Sequence, residues 1–366
     1  MTVLLLLLAL GVAFANGAND VSKGVGTLVG SGLATYRRAI RWGAIWTAAG
    51  AMAAIFVSAG LVNTFMGILR TEPTEPDRFL LAVSAGVFAW VILASRLGLP
   101  VSTTHAITGA LLGVALVMNG PAAIRWPLLG VTVLAPLALS PAVAGLIAYV
   151  IHGAGASRLS VASRYCICLE QRGIGIVSMA AFGDAAVTEI SRPSGIVVGP
   201  AAECASDMVI SRVQVTDAAH WATSAALSFA RGMNDNPKII LLGIGAGAAG
   251  IGMAGVFGAG AAAMALGSCL YGRRVTNTLA ERVTEIDRFE GLSASFVASM
   301  LVLLASFFVL PVSTTHVSTG AIVGAGLRDG ARAIRWTTVT TVVLAWIVTV
   351  PAAAITAAAS WMMLGG

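Results

Sequence analysis

Charged positions along this chain are spaced so widely that the segments 42–69, 97–124, 126–157, 239–272, 291–327 and 336–366 each run 28 to 37 residues without Asp, Glu, Lys or Arg. About 20 apolar residues suffice to cross a hydrocarbon core, so these segments are predicted to be membrane helices, some of them re-entrant half-helices. A transmembrane β-barrel would instead show short alternating segments, and the chain has none. The expected fold is an all-α membrane protein of about twelve transmembrane or re-entrant segments.

Composition supports that pattern. Charged residues are 10% of the 366, against about 25% in soluble domains. Mean hydropathy is +0.89. Gly is abundant at 42 residues and aromatics are only 7%, so helices can approach closely, as packing in lipid requires. The net charge of +6 comes from Arg residues beside apolar runs, without a basic block interleaved with aromatics. Membrane lipid is therefore the expected environment, and nucleic acid is not an expected partner. Cys166, Cys168, Cys204 and Cys269 are too sparse for a disulfide framework and lack zinc-site spacing, so unpaired thiols are expected. Leu4 to Leu8 followed by Ala13-Phe14-Ala15 imitates a signal peptide. The first basic residue is Lys23, however, so a first membrane segment breaking at Asn16-Gly17 is the expectation.

The chain is internally duplicated. Residues 99–105 read LPVSTTH, and residues 310–316 read LPVSTTH again. The match continues from Thr108-Gly109-Ala110 to Thr319-Gly320-Ala321, and from Ala123-Ile124-Arg125-Trp126 to Ala333-Ile334-Arg335-Trp336. Upstream, GANDVSK at 17–23 pairs with GMNDNPK at 232–238. A long period holding several helices is the internal repeat of a transporter. Between the halves, 153–214 carries Arg158, Arg164, Arg172, Arg192 and Arg212 with Glu170, Asp184, Glu189, Glu203 and Asp207, which marks an aqueous insert. The expected organisation is a first membrane repeat over 1–152, a soluble insert over 153–214, and a second membrane repeat over 215–366. Counting Arg residues places the insert in the cytoplasm, although Arg37, Arg38 and Arg41 compete.

Pro100 and Pro311 lack an N–H and disfavour helix before them, so each can end one half-helix and let Ser102-Thr103-Thr104 or Ser313-Thr314-Thr315 begin another. A helix start at membrane depth offers free N–H groups, a positive dipole end and adjacent hydroxyls, a combination suited to a tetrahedral oxyanion. The competing reading is that these residues only cap a kinked helix. Asp20 and Asp235 need partners, because a lone carboxylate in a bilayer costs about 2.5 to 3.5 kcal/mol. Lys23 and Lys238 stand three residues on, a helical-turn spacing. A hard cation held by Asn19, Asp20, Asn234, Asp235 and unwound carbonyls is the alternative partner. His105 and His316 directly follow the hydroxyls as proton carriers or as packed imidazoles. Arg231 precedes the second Asn-Asp pair as an anion contact or, preferably, an interfacial anchor.

At GANDVSKG, GMNDNPKI and the two PVSTTH copies the chain resembles the inorganic phosphate transporter family, whose hallmark is a GANDVANA-type motif in each half with PVSTTH downstream. The resemblance covers nearly all of the chain outside 153–214. It implies a non-enzymatic, multi-pass cell-membrane carrier built as an inverted repeat and commonly a homodimer. It further implies that inorganic phosphate is bound by Ser102, Thr103, Thr104, Ser313, Thr314 and Thr315, with Asn19, Asp20, Asn234 and Asp235 at the cation and substrate site; Lys23 and Lys238 join the expected substrate site from this chain's own sequence and not from the family pattern. Asp20, Asp235, His105 and His316 are the expected coupling residues, with H+ or Na+ as the only cofactor-like ion. Lys23 and Lys238 stand where the family motif commonly has Asn, which favours H+ over Na+. Sulfate permease of the same fold is the alternative, although a carboxylate accepts a protonated phosphate oxygen and repels sulfate. An intramembrane aspartyl protease would also place two Asp at membrane depth, but leaves the duplicated STTH unexplained.

Overall fold

The computed structural model describes residues 2–56, 64–70, 72–170, 174–179, 186–191, 195–201, 209–244, 252–308 and 310–365. The first half comprises helices α1 (Thr2–Gly30), α2 (Tyr36–Ala53), α3 (Pro76–Leu97) and α4 (Thr103–Asn119). A short α5 (Trp126–Leu129) and a π-turn (Gly130–Leu134) then lead into α6 (Ala135–Ala162). The second half comprises α7 (Val215–Ile244), α8 (Met253–Tyr271), a short connector α9 (Arg273–Glu281), α10 (Arg288–Phe307), α11 (Thr314–Gly326) and α12 (Trp336–Met363). Seven helices among the described residues are long and apolar enough to cross a membrane. α7 is also long enough, at 30 residues, but it carries Asp217, Arg231, Asp235 and Lys238.

The two LPVSTTH segments end one helix and start another, as Pro and Ser predict. α3 stops at Gly98, whose φ of 73° is the left-handed conformation that closes a helix without a Cβ penalty. The chain then runs extended through Pro100, and α4 begins under the Ser102 cap. α11 begins in the same way under Ser313. The two Asn-Asp motifs behave otherwise, and the break expected at Asn16-Gly17 does not exist. α1 is continuous through Asn16, Asn19, Asp20 and Lys23, and α7 is continuous through Asn234, Asp235, Pro237 and Lys238. The polar residues fall on one face of each helix at i, i+3, i+4 and i+7, where other helices satisfy them without unwinding.

The halves interlock through small residues. A Cβ added at Gly17 would collide with the Met264 backbone on α8, and one at Gly267 with the Phe14 backbone on α1. The counterpart crossing pairs Gly232 of α7 with Thr47 of α2, and Gly50 of α2 with Phe229 of α7. Gly109 and Gly113 of α4 lie against Val350 and Ala354 of α12, while Gly320 and Gly324 of α11 lie against Pro141 and Gly145 of α6. Each of these four crossings joins one half to the other, and each has its counterpart with the halves exchanged. Backbones this close gain dispersion contacts that bulkier residues would forbid.

The corners repeat too. Arg125 donates its N–H to the Ile68 carbonyl and Arg335 to that of Val283, both at 2.9 Å. The Trp126 and Trp336 indoles donate to the Pro121 and Ala331 carbonyls, both at 3.0 Å.

Ala154–Trp221 is a compact unit by itself. Its strands are β1 (Tyr165–Glu170), β2 (Ile174–Met179), β3 (Ala186–Ser191), β4 (Gly195–Pro200) and β5 (Val209–Gln214). β1 is the middle of an antiparallel sheet in the order β4-β1-β5, and β2 pairs with β3 in a separate antiparallel ladder. Cys166 and Cys168 share the buried face of β1, because alternate residues of a strand point the same way. Cys168 is disulfide-bonded, which corrects the expectation of unpaired thiols. Strand pairing brings together segments distant in the chain, which residue spacing does not reveal. Arg172, Asp184, Arg192, Glu203, Cys204 and Asp207 lie outside the described residues.

Candidate functional site

The polar faces of α1 and α7 and the starts of α4 and α11 converge in the interior of the helical unit. Asn16, Asn19, Asp20, Lys23, Arg231, Asn234, Asp235 and Lys238 are all buried, as are Ser102, Thr103, Thr104, Ser313, Thr314 and Thr315. Burying so many polar groups is tolerable only if they pair with one another or with a ligand.

The first-half motif is fully engaged. Asn19 donates from Nδ2 to the Leu99 carbonyl at 2.9 Å and to Ser95 Oγ at 3.1 Å. Its Oδ1 accepts from the Val101 N–H at 3.0 Å. One Asn side chain thus ties α1 to the unwound 98–102 segment in two places and to the last turn of α3 in a third. Lys23 Nζ pairs with Asp20, as the i,i+3 spacing predicts, and also reaches Asn19 Oδ1 at 3.1 Å and the Val101 carbonyl at 3.2 Å. An ammonium has three N–H donors, and all three find oxygen here.

The second half has the same plan but a looser fit. Lys238 Nζ lies 3.6 Å from Asp235 Oδ1, 3.1 Å from Thr104 Oγ1 and 3.5 Å from the Val312 carbonyl. Asn234 Nδ2 contacts the Val312 carbonyl at 3.3 Å, leaving its Oδ1 buried without a partner.

Each helix start is capped by its serine. Ser102 Oγ accepts the His105 N–H at 3.2 Å, and Ser313 Oγ the His316 N–H at 3.3 Å. Capping uses an oxygen lone pair and leaves each hydroxyl proton available to a ligand. The threonines cross between the halves: Thr315 donates to the Val101 carbonyl at 2.8 Å, and Thr104 to the Val312 carbonyl at 3.5 Å. Thr314 donates to Asp20 Oδ2 at 3.4 Å, while Thr103 accepts from Asn16 Nδ2 at 2.9 Å. Two helix N-termini, six hydroxyls, two carboxylates and three cationic side chains therefore share one buried centre. Such a set can hold a small tetrahedral oxyanion by charge and hydrogen bonds together.

The imidazoles of His105 and His316 meet edge to face with centroids 4.6 Å apart, and His316 lies 3.8 Å from the Trp346 ring. The fold brings these two residues to each other, and neither has a carboxylate partner among the described residues.

The sequence profile described as the phosphate transporter family matches residues 16–357. The chain belongs to the phosphate transporter family. The "Putative phosphate permease" of Pyrococcus furiosus is 30% identical over 397 residues, covering 96% of this chain and 93% of that protein. The chloroplastic "Inorganic phosphate transporter 2-1" of Arabidopsis thaliana is 27% identical, covering 95% of this chain and 70% of its own length. A solved structure titled "The sodium-dependent phosphate transporter" superposes with a TM-score of 0.75 at 22% identity, over 99% of this chain and 98% of that one. That likeness establishes the fold. This member of the family is therefore a helical, multi-pass membrane protein, and its relatives are transporters and permeases rather than enzymes.

Within the transporter's centre, two contacts were not legible as such. Asn16 also bonds Asp235 Oδ2 at 3.2 Å, linking α1 to α7. Arg231 is fully buried, which corrects its preferred reading as an interfacial anchor. An anchor needs a wet end, and this guanidinium has none. The duplication carried a signal for both, since Asn16 and Arg231 stand at the same place before their motifs.

Proposed function

We propose that this chain is a secondary active carrier of inorganic phosphate and that protons, rather than Na+, are its coupling ion. The observation that carries the coupling reading is the Lys23 ammonium. It fills a cage of Asp20, Asn19 and Val101 oxygens, the type of oxygen cage a hard cation requires. A lysine there supplies positive charge while offering no ligand to a metal. Lys238 stands in the corresponding place beside Asp235 and Val312.

In this reading the substrate anion takes the hydroxyl protons of Ser102, Thr103 and Ser313, and those of Thr104, Thr314 and Thr315 as they turn from Val312, Asp20 and Val101, together with the free N–H groups of α4 and α11. Asn19 and Asn234 hold the unwound segments in register. An anion entering against an inside-negative potential faces about 2.3 kcal/mol per charge per 100 mV, which a co-transported proton offsets. Asp20 and Asp235, each beside a lysine, and the paired His105 and His316 are the groups that would carry it. A carboxylate accepts the O–H of a protonated phosphate and repels fully ionised sulfate, so phosphate is the preferred substrate.

The test is uptake of radiolabelled phosphate into proteoliposomes, first under a Na+ gradient at fixed pH and then under a pH gradient without Na+. Proton coupling requires uptake driven by the second condition. Uptake that follows the Na+ gradient alone would refute it.

A further inference from the structure

The buried centre is two-fold in its motifs but not in its charge. Asp20 is paired with Lys23 and Asp235 with Lys238, so each half cancels itself whether the pair is ionised or has exchanged its proton. Arg231 has no such counter-ion. It is completely buried, and its one hydrogen bond is from Nη2 to Thr47 Oγ1 on α2, which leaves Nε and Nη1 without partners. A guanidinium stays ionised at any relevant pH, and a buried cation with two unmade hydrogen bonds is strongly unfavourable by itself. The centre thus keeps one uncompensated positive charge and two orphan donors of a planar fork.

That fork lies close to the site. Arg231, Asn234, Asp235 and Lys238 occupy one face of α7 at i, i+3, i+4 and i+7. Arg231 is within electrostatic reach of both Asp20 and Asp235. Its counterpart in the first half is Asn16, which spends its amide on Thr103 and Asp235. Each therefore bridges the halves and each leaves polar atoms unpartnered, but that of Asn16 is an acceptor, Oδ1, whereas those of Arg231 are the donors Nε and Nη1, which suit an anion.

Resting on the transport reading above, we infer that Arg231 is the substrate-binding residue that breaks the two-fold symmetry of this site, taking an oxyanion on the guanidinium edge that Thr47 leaves open, through Nη2 together with Nε or Nη1. Nε–H and Nη1–H each run parallel to one of the two Nη2 hydrogens, and Thr47 takes only one of those, so one pair of parallel donors remains to fit two oxygens of a tetrahedral anion, a match an ammonium cannot reproduce. Before the coupling proton binds, one net positive charge is neutralised by one negative charge, so the form favoured at the unprotonated centre is a singly charged oxyanion such as dihydrogen phosphate. A fully ionised dianion would leave the centre with an excess negative charge in low dielectric.

The experiment uses the full-length protein in nanodiscs, with inorganic phosphate binding measured by calorimetry for the parent, Arg231→Gln, Arg231→Lys and Thr315→Ala. Arg231→Gln is expected to weaken phosphate binding by about a hundredfold and Arg231→Lys by about tenfold, the lysine keeping the charge but not the fork. Phosphate binding unchanged in both Arg231 variants, with Thr315→Ala impaired, would overturn the role of Arg231 and leave the site reading intact. A parent that binds no phosphate would instead overturn the transport reading. A phosphate-bound structure of the unaltered protein decides the matter independently of how the variants fold. An anion oxygen within about 3.2 Å of Nε or Nη1 is expected. An anion seated on the hydroxyls but out of reach of Arg231 would overturn the inference.

Discussion

The Thr315 hydroxyl donates to the Val101 carbonyl at 2.8 Å, so a residue from the start of the second-half helix α11 is bound to the unwound segment before the first-half helix α4. Thr104 and Val312 make the reverse contact at 3.5 Å. The tighter of the two holds the helix starts together.

Removing either hydroxyl is expected to weaken phosphate binding by about 1 to 3 kcal/mol, because a desolvated phosphate oxygen loses a donor. Calorimetric titration of Thr104→Ala and Thr315→Ala measures this. Wild-type affinity in both would remove the hydroxyls from the site. Thr315→Ala is expected to lower the melting temperature of the phosphate-free protein more than Thr104→Ala, since its bond to the Val101 carbonyl is the shorter of the two.

Replacing Lys23 with Asn leaves Asp20 buried beside an opened oxygen cage. Without a small cation this is expected to destabilise the protein by about 3 to 5 kcal/mol, the penalty of an uncompensated buried charge. Na+ should restore part of that loss by binding the folded state. Thermal unfolding of Lys23→Asn in NaCl against choline chloride tests this, with Lys23→Asn/Lys238→Asn uptake expected to become more Na+-dependent. Identical unfolding in both salts would argue that the cage does not accept Na+.

The two corners are related by the exchange of halves, with Arg125 bonded to Ile68 and Arg335 to Val283. Inverted repeats place such corners on opposite membrane faces. Single cysteines at Trp126 and Trp336, each 48% exposed, are expected to react with an impermeant maleimide from opposite sides. Reaction from one side would mean a parallel repeat.

Gly324 leaves no room for a Cβ against the Gly145 backbone, whereas a Cβ at Gly130 meets nothing. Gly324→Val is expected to lower stability by about 3 kcal/mol or more, since backbone cannot yield as a side chain does. Gly130→Ala should be neutral or stabilising. Equal melting temperatures for Gly324→Val and the parent would show that α11 and α6 separate without cost.

The pattern of the chain determined much of this protein by itself. Charge-free runs required helices, because a backbone in lipid must satisfy its own hydrogen bonds. Pro100 and Pro311 followed by Ser ended one helix and capped the next, a local effect that needs no tertiary partner. The i,i+3 spacing paired Asp20 with Lys23 and Asp235 with Lys238 for the same reason. The tertiary structure decided whatever depended on neighbours from the other half. Asn16 and Asn19 look like a helix break when read alone, yet they bond sideways to Thr103, Ser95, Leu99 and Val101 and α1 runs on unbroken. Arg231 could not be told from an anchor until the packing around α7 removed its water and left two donors unmade. A residue's own chemistry says which bonds it can form, but only the packed neighbours determine which of those bonds remain open for a ligand.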